Sequence, residues 1–333
     1  MPLGQGYLPS GAIGTQLSYI TRRAILDKGV VQIYNSSPLI CGLLSNAALE
    51  AGGVDSFLAN VQMQGFVMPQ WTGYQGAFTA ATNVQGLQQA AWSMDWAVVP
   101  IPIFGSEILI QDKQKIQDIL DLRLTDAGNA MRDLLATALY NNGVTATLNP
   151  LQIIGINGAI DDGTNLNVYA GINRTTFPDW KAKRYAAGSV NPTRANVMQW
   201  IVGSAKAQGE TPDFGITSPG TWALLAQDFL GLERYYPNDM KGETYNSAFR
   251  AIEVAGVPIY MDPYCPDGTM YLINTNYLTM RVHEEAQWEV IDFVPLTPVN
   301  QIGFLGLVFI VLALTLTKPK SCAVITGLNS VTI

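Results

Sequence analysis

The chain has 333 residues, of which 48% are hydrophobic and only 14% charged, against roughly 25% charged in an ordinary soluble domain. Such a chain buries enough apolar surface to offset its ordering entropy, which excludes intrinsic disorder, and its length exceeds the roughly 250–300 residues at which one core stops growing. A net charge of −7 repels nucleic acid and anionic lipid, and so sparse a set of charges predicts that much of the surface faces other protein rather than water.

The first 23 residues carry Gly4, Gly6, Pro9, Gly11 and Gly14 without an apolar h-region, so no secretory signal is expected. Cys41, Cys265 and Cys322 are odd in number, far apart and outside any C-x-x-C pair, which predicts a reducing compartment with neither a disulfide framework nor a zinc knuckle. Residues 1–54 are rich in Gly, Ser and Asn and read as an extended arm that orders by lying on something else. Between Lys28 and Lys113 there is no Lys or Arg, and over 55–107 the only charges are Asp55, Asp95 and Glu107. Phe57, Phe66, Trp71, Tyr74, Phe78, Trp92 and Trp96 lie in this stretch, and alternations such as Phe66-Val67-Met68 predict an extended β-hairpin over 55–111. An isolated hairpin is marginal in water, so this one must pack on the chain's own core or on a neighbouring subunit.

Over 113–141 the pattern changes to helical spacing. Ile116, Leu120, Leu124, Ala127, Met131, Leu134, Leu135 and Ala138 define one face of a long helix, with Asp112 as N-cap and Asn141-Asn142-Gly143 as its stop. Residues 151–157 read as a strand, and Asp161-Asp162-Gly163-Thr164 as a turn. Thr193 can cap a helix carrying Val197, Trp200, Ile201 and Ala205; after a strand at 214–217, Ser218-Pro219 starts another with Trp222, Leu225, Phe229 and Leu232 on one face. Strands are predicted at 252–260 with a turn at Gly256, and at 270–274, 278–283 and 288–294. The apolar run 302–316, broken only by Gly303, Gly306 and Thr315, is shorter than the ~20 residues of a membrane helix and predicts a strand buried on both faces. The order of elements is α+β.

Motifs for chemistry are absent. The single histidine, His283, excludes His-rich metal sites; with Arg281, Val282, Glu284 and Glu285 beside it, it reads as a surface residue at a strand end. No G-x-G-x-x-G, G-x-x-x-x-G-K-[ST] or G-x-S-x-G occurs. Asp161, Asp162 and Asn165 could offer oxygens to calcium, but the twelve-residue loop with its terminal Glu is missing, and a turn held by Asx hydrogen bonds is the simpler reading. Asn173-Arg174-Thr175 matches a glycosylation sequon without a secretory context. Arg174, Lys181, Lys183, Arg184 and Arg194 form the one basic surplus, open to phosphate, to an acidic neighbouring face or to a solvated loop. The aromatics of 57–96 lack the interleaved cations of a base-stacking site, so packing is the better account.

Residues 156–164 (INGAIDDGT), continuing through 169–180 (YAGINRTTFPDW), resemble a stretch of tailed-bacteriophage major capsid proteins; so do 270–275 and 292–322 near the end of the chain. The resemblance implies the α+β Hong Kong 97-type capsid fold: an N-terminal arm (1–54), an extended hairpin loop (55–111), a peripheral domain (112–192) with a spine helix (113–141), an axial α/β domain (193–281), and C-terminal strands completing the core (282–333). It implies a shell protein and not an enzyme, with no catalytic, cofactor-binding or metal residues and no cofactor. The partners implied are other copies of the chain in hexamers and pentamers, a portal, scaffold, cement or decoration proteins, and packaged double-stranded DNA touched non-specifically at most, with no membrane. The location implied is a virion capsid assembled in the host cytoplasm. An encapsulin-type nanocompartment shares this fold and is the alternative, with a soluble enzyme lacking recognised motifs behind it. Some members of the family join subunits covalently through a hairpin lysine. This hairpin has none, so non-covalent assembly is expected.

Overall fold

The computed structural model describes residues 37–45, 48–50, 56–63, 86–104, 113–141, 152–205, 210–229, 251–296 and 302–331. Within the predicted arm, helix α1 (Pro38–Ser45) and strand β1 (Ala48–Glu50) are described, and residues 1–36 lie outside the described set. Pro38 opens α1, where its fixed φ suits the first helical turn, and Leu39, Ile40 and Leu43 are buried. Strands β2 (Ser56–Gln62) and β3 (Leu87–Ser93) pair antiparallel, and the Met63 N–H donates to the Gly86 carbonyl at 2.7 Å. Alternate residues Phe57, Ala59, Val61, Ala90 and Trp92 turn to the core.

The predicted hairpin over 55–111 does not continue past Ser93. Strand β4 (Asp95–Phe104) instead pairs along β14 (Gly303–Leu316), from Asp95 opposite Leu312 to Phe104 opposite Gly303. The same alternating pattern serves a hairpin or a core sheet, and only the distant partner distinguishes them. Helix α2 (Lys113–Leu139) is the predicted spine, 27 residues long and about 40 Å from end to end. Leu124, Met131, Leu135 and Ala138 are buried and Ala127 is half-buried, but Leu134 is exposed. Arg123 Nη1 donates to the Pro102 carbonyl and ties the helix to β4. The predicted caps Asp112 and Asn142-Gly143 lie outside the described residues.

Residues 152–155 are not a strand. Gly155 lies against the last turn of α2, where a Cβ would come within 2.3 Å of the Leu139 carbonyl oxygen, and the chain then turns into the short helix α3 (Ile156–Ala159). A two-stranded ribbon follows, β5 (Val168–Tyr169) against β6 (Ile172–Asn173).

A six-stranded sheet builds the second lobe. Its members are β7 (Lys183–Val190), β8 (Phe214–Thr217), β9 (Ala251–Val254), β10 (Val257–Met261), β11 (Thr269–Ile273) and β15 (Ala323–Leu328), in the order β7-β15-β11-β8-β10-β9. Helices α4 (Arg194–Ala205) and α5 (Pro219–Phe229) complete the lobe. Thr193 Oγ1 accepts the Asn196 N–H at 3.3 Å as predicted; Ser218 instead caps with its carbonyl, and its hydroxyl donates to Thr221 Oγ1 at 3.0 Å. All five residues of β11 are buried. Met270 and Leu272 face Val197, Ile201 and Leu225, while Tyr271 and Ile273 join the larger core that contains Met131 and Leu135. The central strand thus stitches the lobe to the spine.

In the other sheet, β12 (Leu278–His283) and β13 (Glu289–Pro295) pair in succession along one edge of β14, and β4 along the other; β1 lies outside β12. The second half of β14, from Ile310 to Leu316, is buried throughout, as predicted for the whole strand, but Leu305, Leu307 and Phe309 are only half-buried. Gly306 is needed where the strand passes Phe293, whose ring would lie 2.9 Å from a Cβ. The sheets cross the predicted segment boundaries: β7 from 112–192 pairs with β15 from 282–333, and β12, which begins within 193–281, pairs with β14.

Candidate assembly surface

The residues singled out for chemistry are absorbed into structure. Asp161 Oδ2 accepts the N–H groups of Gly163, Asn165 and Leu166 at 2.9–3.0 Å, and Asp162 Oδ1 accepts that of Thr164 at 3.0 Å. This is the Asx-held turn, and its oxygens are committed to N–H groups and arginines rather than to an ion. Arg174 is fully buried beside it: Nη1 donates to the carbonyls of Gly158 (3.0 Å) and Leu166 (2.8 Å), Nη2 to Ala159 (2.6 Å) and Nε to Trp180 (3.3 Å). Its Nη1 lies 3.8 Å from Asp161 Oδ2, and Arg184 reaches Asp161 Oδ1 at 3.0 Å. Burial pulls the Arg174 pKa down, opposed chiefly by the Asp161 charge.

The basic run is therefore no solvated loop: Lys183 and Arg184 open β7, with Lys183 exposed. Arg174 is an internal tie, Arg184 is its half-buried companion, and Arg194 lies over the Phe229 ring at 5.9 Å. A fork of five donors suits a bend with several inward carbonyls, which a sequence window cannot display. Tyr169, Trp180 and Trp92 pack around the tie, with Arg174 5.1 Å over the Tyr169 ring; burial pushes the Tyr169 hydroxyl up to about 12. His283 ends β12 as predicted and is half-buried; its Nδ1 accepts the Glu285 N–H at 3.2 Å. The Asn173 Oδ1 accepts the Thr175 N–H at 2.8 Å, so the sequon is a turn.

The surface that remains unaccounted for lies on the outer face of the β4-β14-β13 sheet. Cross-strand register aligns Val98, Phe309 and Glu289, then Pro100, Leu307 and Ile291, then Pro102, Leu305 and Val294. Trp96 is 66% exposed while stacked on Phe309 with ring centroids 5.4 Å apart, and Ile302 at the far end is 73% exposed. Val98, Phe104, Ile291 and Val294 are also exposed. None of the three strands contains a Lys or Arg; Glu289, exposed opposite Phe309, is the carboxylate in register with this face, while Asp95 turns to the other side, where burial raises its pKa. Among the described residues β14 is the one strand paired with β4; Pro100 and Pro102 offer no N–H to a further strand, and Arg123 of α2 takes the Pro102 carbonyl. The hairpin shows a second exposed apolar pair, Leu58 and Leu87. Among the described residues no helix is long and apolar enough to cross a membrane.

No protein-family model matches the chain, and no curated protein matches it in sequence. Solved structures do. The chain is similar to the capsid asymmetric unit of cyanophage A-1(L), with a TM-score of 0.69 and 15% identity over 88% of this chain and 93% of that one. It is similar to the capsid of an empty GTA particle, with a TM-score of 0.51 and 10% identity over 85% and 94% of the two chains. A holo-SrpI encapsulin complex from Synechococcus elongatus gives a TM-score of 0.51 and 15% identity over 86% and 88%. The chain has the Hong Kong 97-type α+β capsid fold.

Proposed function

We propose that this chain is the major head protein of a tailed phage, with a structural rather than a catalytic role. Copies assemble as hexamers and pentamers into an icosahedral shell that encloses double-stranded DNA. The observation that carries the reading is the apolar face of β4, β14 and β13, whose strands hold no cation and which is open among the described residues. Permanent interfaces commonly exceed about 2,000 Å², and burying apolar area contributes roughly 25 cal/mol per Å². A sheet face three strands wide supplies part of such an interface, and the β2–β3 hairpin of a neighbouring copy supplies the complementary part.

In this reading residues 1–54 serve as the arm, α2 as the spine of the peripheral domain, and the six-stranded sheet with α4 and α5 as the axial domain. Assembly takes place in the host cytoplasm, without covalent cross-links through the hairpin. A portal, scaffold or decoration protein completes the head, and DNA is touched non-specifically at most. The greater likeness to the cyanophage capsid than to the encapsulin favours a virion over a nanocompartment.

Negative-stain microscopy of the expressed full chain is the test. Uniform shells or tubes are expected, and a monodisperse monomer at high concentration would overturn the reading. Nucleic acid released from native particles marks a virion; enzyme cargo in its place marks a nanocompartment. A chain in which residues 64–85 are replaced by a short turn, joining Met63 to Gly86, is expected to fold and to form no shells. Normal shells from it would remove residues 64–85 from the interface.

A further inference from the structure

One buried carboxylate has no role in the assembly surface. Asp262, just past β10, is completely buried. Its Oδ2 accepts the hydroxyl of Ser37, immediately before α1, and that of Tyr140, at the end of α2, the latter at 2.8 Å. Oδ1 accepts the Tyr264 N–H at 2.9 Å, and the Asp262 N–H donates to the Thr217 carbonyl at 2.9 Å. One side chain thus holds together the segment leading into α1, the end of the spine helix and the second lobe. A parallel tie lies close by, where the Tyr264 hydroxyl donates to Asp133 of α2 at 2.6 Å.

Among the described residues no cation is bonded to this carboxylate. From its own loop come Tyr264 and the buried thiol of Cys265, with Asp267 beyond; from α2 come Tyr140 and, at Tyr264, the Arg132–Asp133 pair; from β11 comes Tyr271, packed on Tyr140 with ring centroids 6.0 Å apart. Ser37 and β8 add only a hydroxyl and backbone. The arginine felt at Tyr271 is Arg184, already paired with Asp161. Among the described residues, three neutral donors are all that offset the desolvation of the Asp262 anion.

We propose that Asp262 is a proton-operated clasp: its protonation tightens the junction between the segment before α1, the end of the spine helix and the second lobe, and its ionisation loosens it. A neutral carboxyl removes the buried charge, keeps its acceptor oxygen and adds a donor that either hydroxyl can accept. Burial raises the pKa of Asp262, against the pull of the Ser37, Tyr264 and Tyr140 hydrogen bonds. The folded state then binds the proton more tightly than the unfolded chain does. Stability at this site is therefore present below the ordinary carboxylate value and is lost as pH rises through the raised folded value.

Hydrogen exchange of the full chain, corrected for intrinsic rates and followed at residues 37–45 and 136–141, tests the clasp whether or not the chain forms shells. A failure of the shell reading therefore leaves this result separately legible. Protection of both segments is expected to rise about tenfold between neutral pH and about 4.5, a response of one titrating group whose pKa lies above the usual carboxylate value. Asp262→Asn is expected to hold the protected state at every pH; a pH response unchanged from the parent would overturn the proposal. Should that variant not fold, Tyr140→Phe and Ser37→Ala decide the matter. Each removes a donor to the anion and is expected to move the midpoint to higher pH, and an unmoved midpoint in both would overturn the clasp.

Discussion

Two aromatic clusters, seeded only a few residues apart at Trp92 and Trp96, meet opposite fates. Trp92 packs with Tyr169 and Trp180, ring centroids 6.2 and 6.5 Å away, in a region where a buried Arg174 spends its donors on four carbonyls, with the Asp161 carboxylate 3.8 Å away. Trp96 stacks on Phe309 and stays largely in solvent, on a face without a cation. The first cluster is closed by its own chain: the Arg174 donors, Asp161 and the Trp180 indole N–H find partners within the 156–184 segment, and the Tyr169 hydroxyl accepts the Leu316 N–H. The second has apolar surface that nothing among the described residues covers. In the proposed reading, folding closes one region and assembly closes the other.

Substitutions can break this division. Arg174→Ala leaves Asp161 buried with less compensation and several carbonyls without their donor; a loss of about 3–5 kcal/mol is expected in chemical denaturation, with shells lost only because the chain is lost. Trp96→Ala is expected to act the other way. Association should weaken by about 2 kcal/mol or more per contact, as for a central aromatic anchor, while the denaturation midpoint of the unassembled chain shifts by no more than about 0.5 kcal/mol. A Trp96→Ala chain that assembles at the parent concentration, or one that unfolds early, would erase the distinction.

Gly306→Ala probes the boundary between the regions, because the new methyl strikes the Phe293 ring on the inner side of the sheet while the outer face is untouched. A folding cost of at least about 1 kcal/mol is expected, with assembly of the folded fraction unchanged. The smallest effect belongs to an exposed control, Lys318 with Glu210 at 2.9 Å. Lys318 and the Tyr277 hydroxyl hold the Glu210 carboxyl below its ordinary value. Its contribution is present above that ordinary value and lost as pH falls through the depressed one. Solvent screening limits it to no more than about 1 kcal/mol, so Lys318→Met should flatten a shallow acid limb in thermal unfolding and leave both clusters intact.

Much of the element list was legible in advance. The spine helix, the strands at 214–217 and 278–283 and the run 302–316 each carry a period of 3.6 or 2, or an unbroken apolar stretch, over enough residues to declare their type. The Asx turn at Asp161 was legible for the same reason, since its bonds span only five residues. The strand β7 was not, because Lys183 and Arg184 disguise an edge strand as a basic loop. Nor was α3, where the expected strand yields to the close approach of Gly155 to the end of α2.

The assembly surface divides along the same line. A stretch of 84 residues without a cation, 29–112, pointed to contact between subunits. It could not say that β3 would turn Trp92 inward, that β4 would leave the hairpin for β14, or that Phe309 and Ile291 would extend the outer face. By itself the sequence determined what each segment is and where charge is missing, because periodicity and composition are properties of residues close along the chain. Only the tertiary structure decided which strand pairs with which, which arginine is buried and which tryptophan is left in water. Those outcomes depend on carbonyls, carboxylates and strand edges that distant segments bring together.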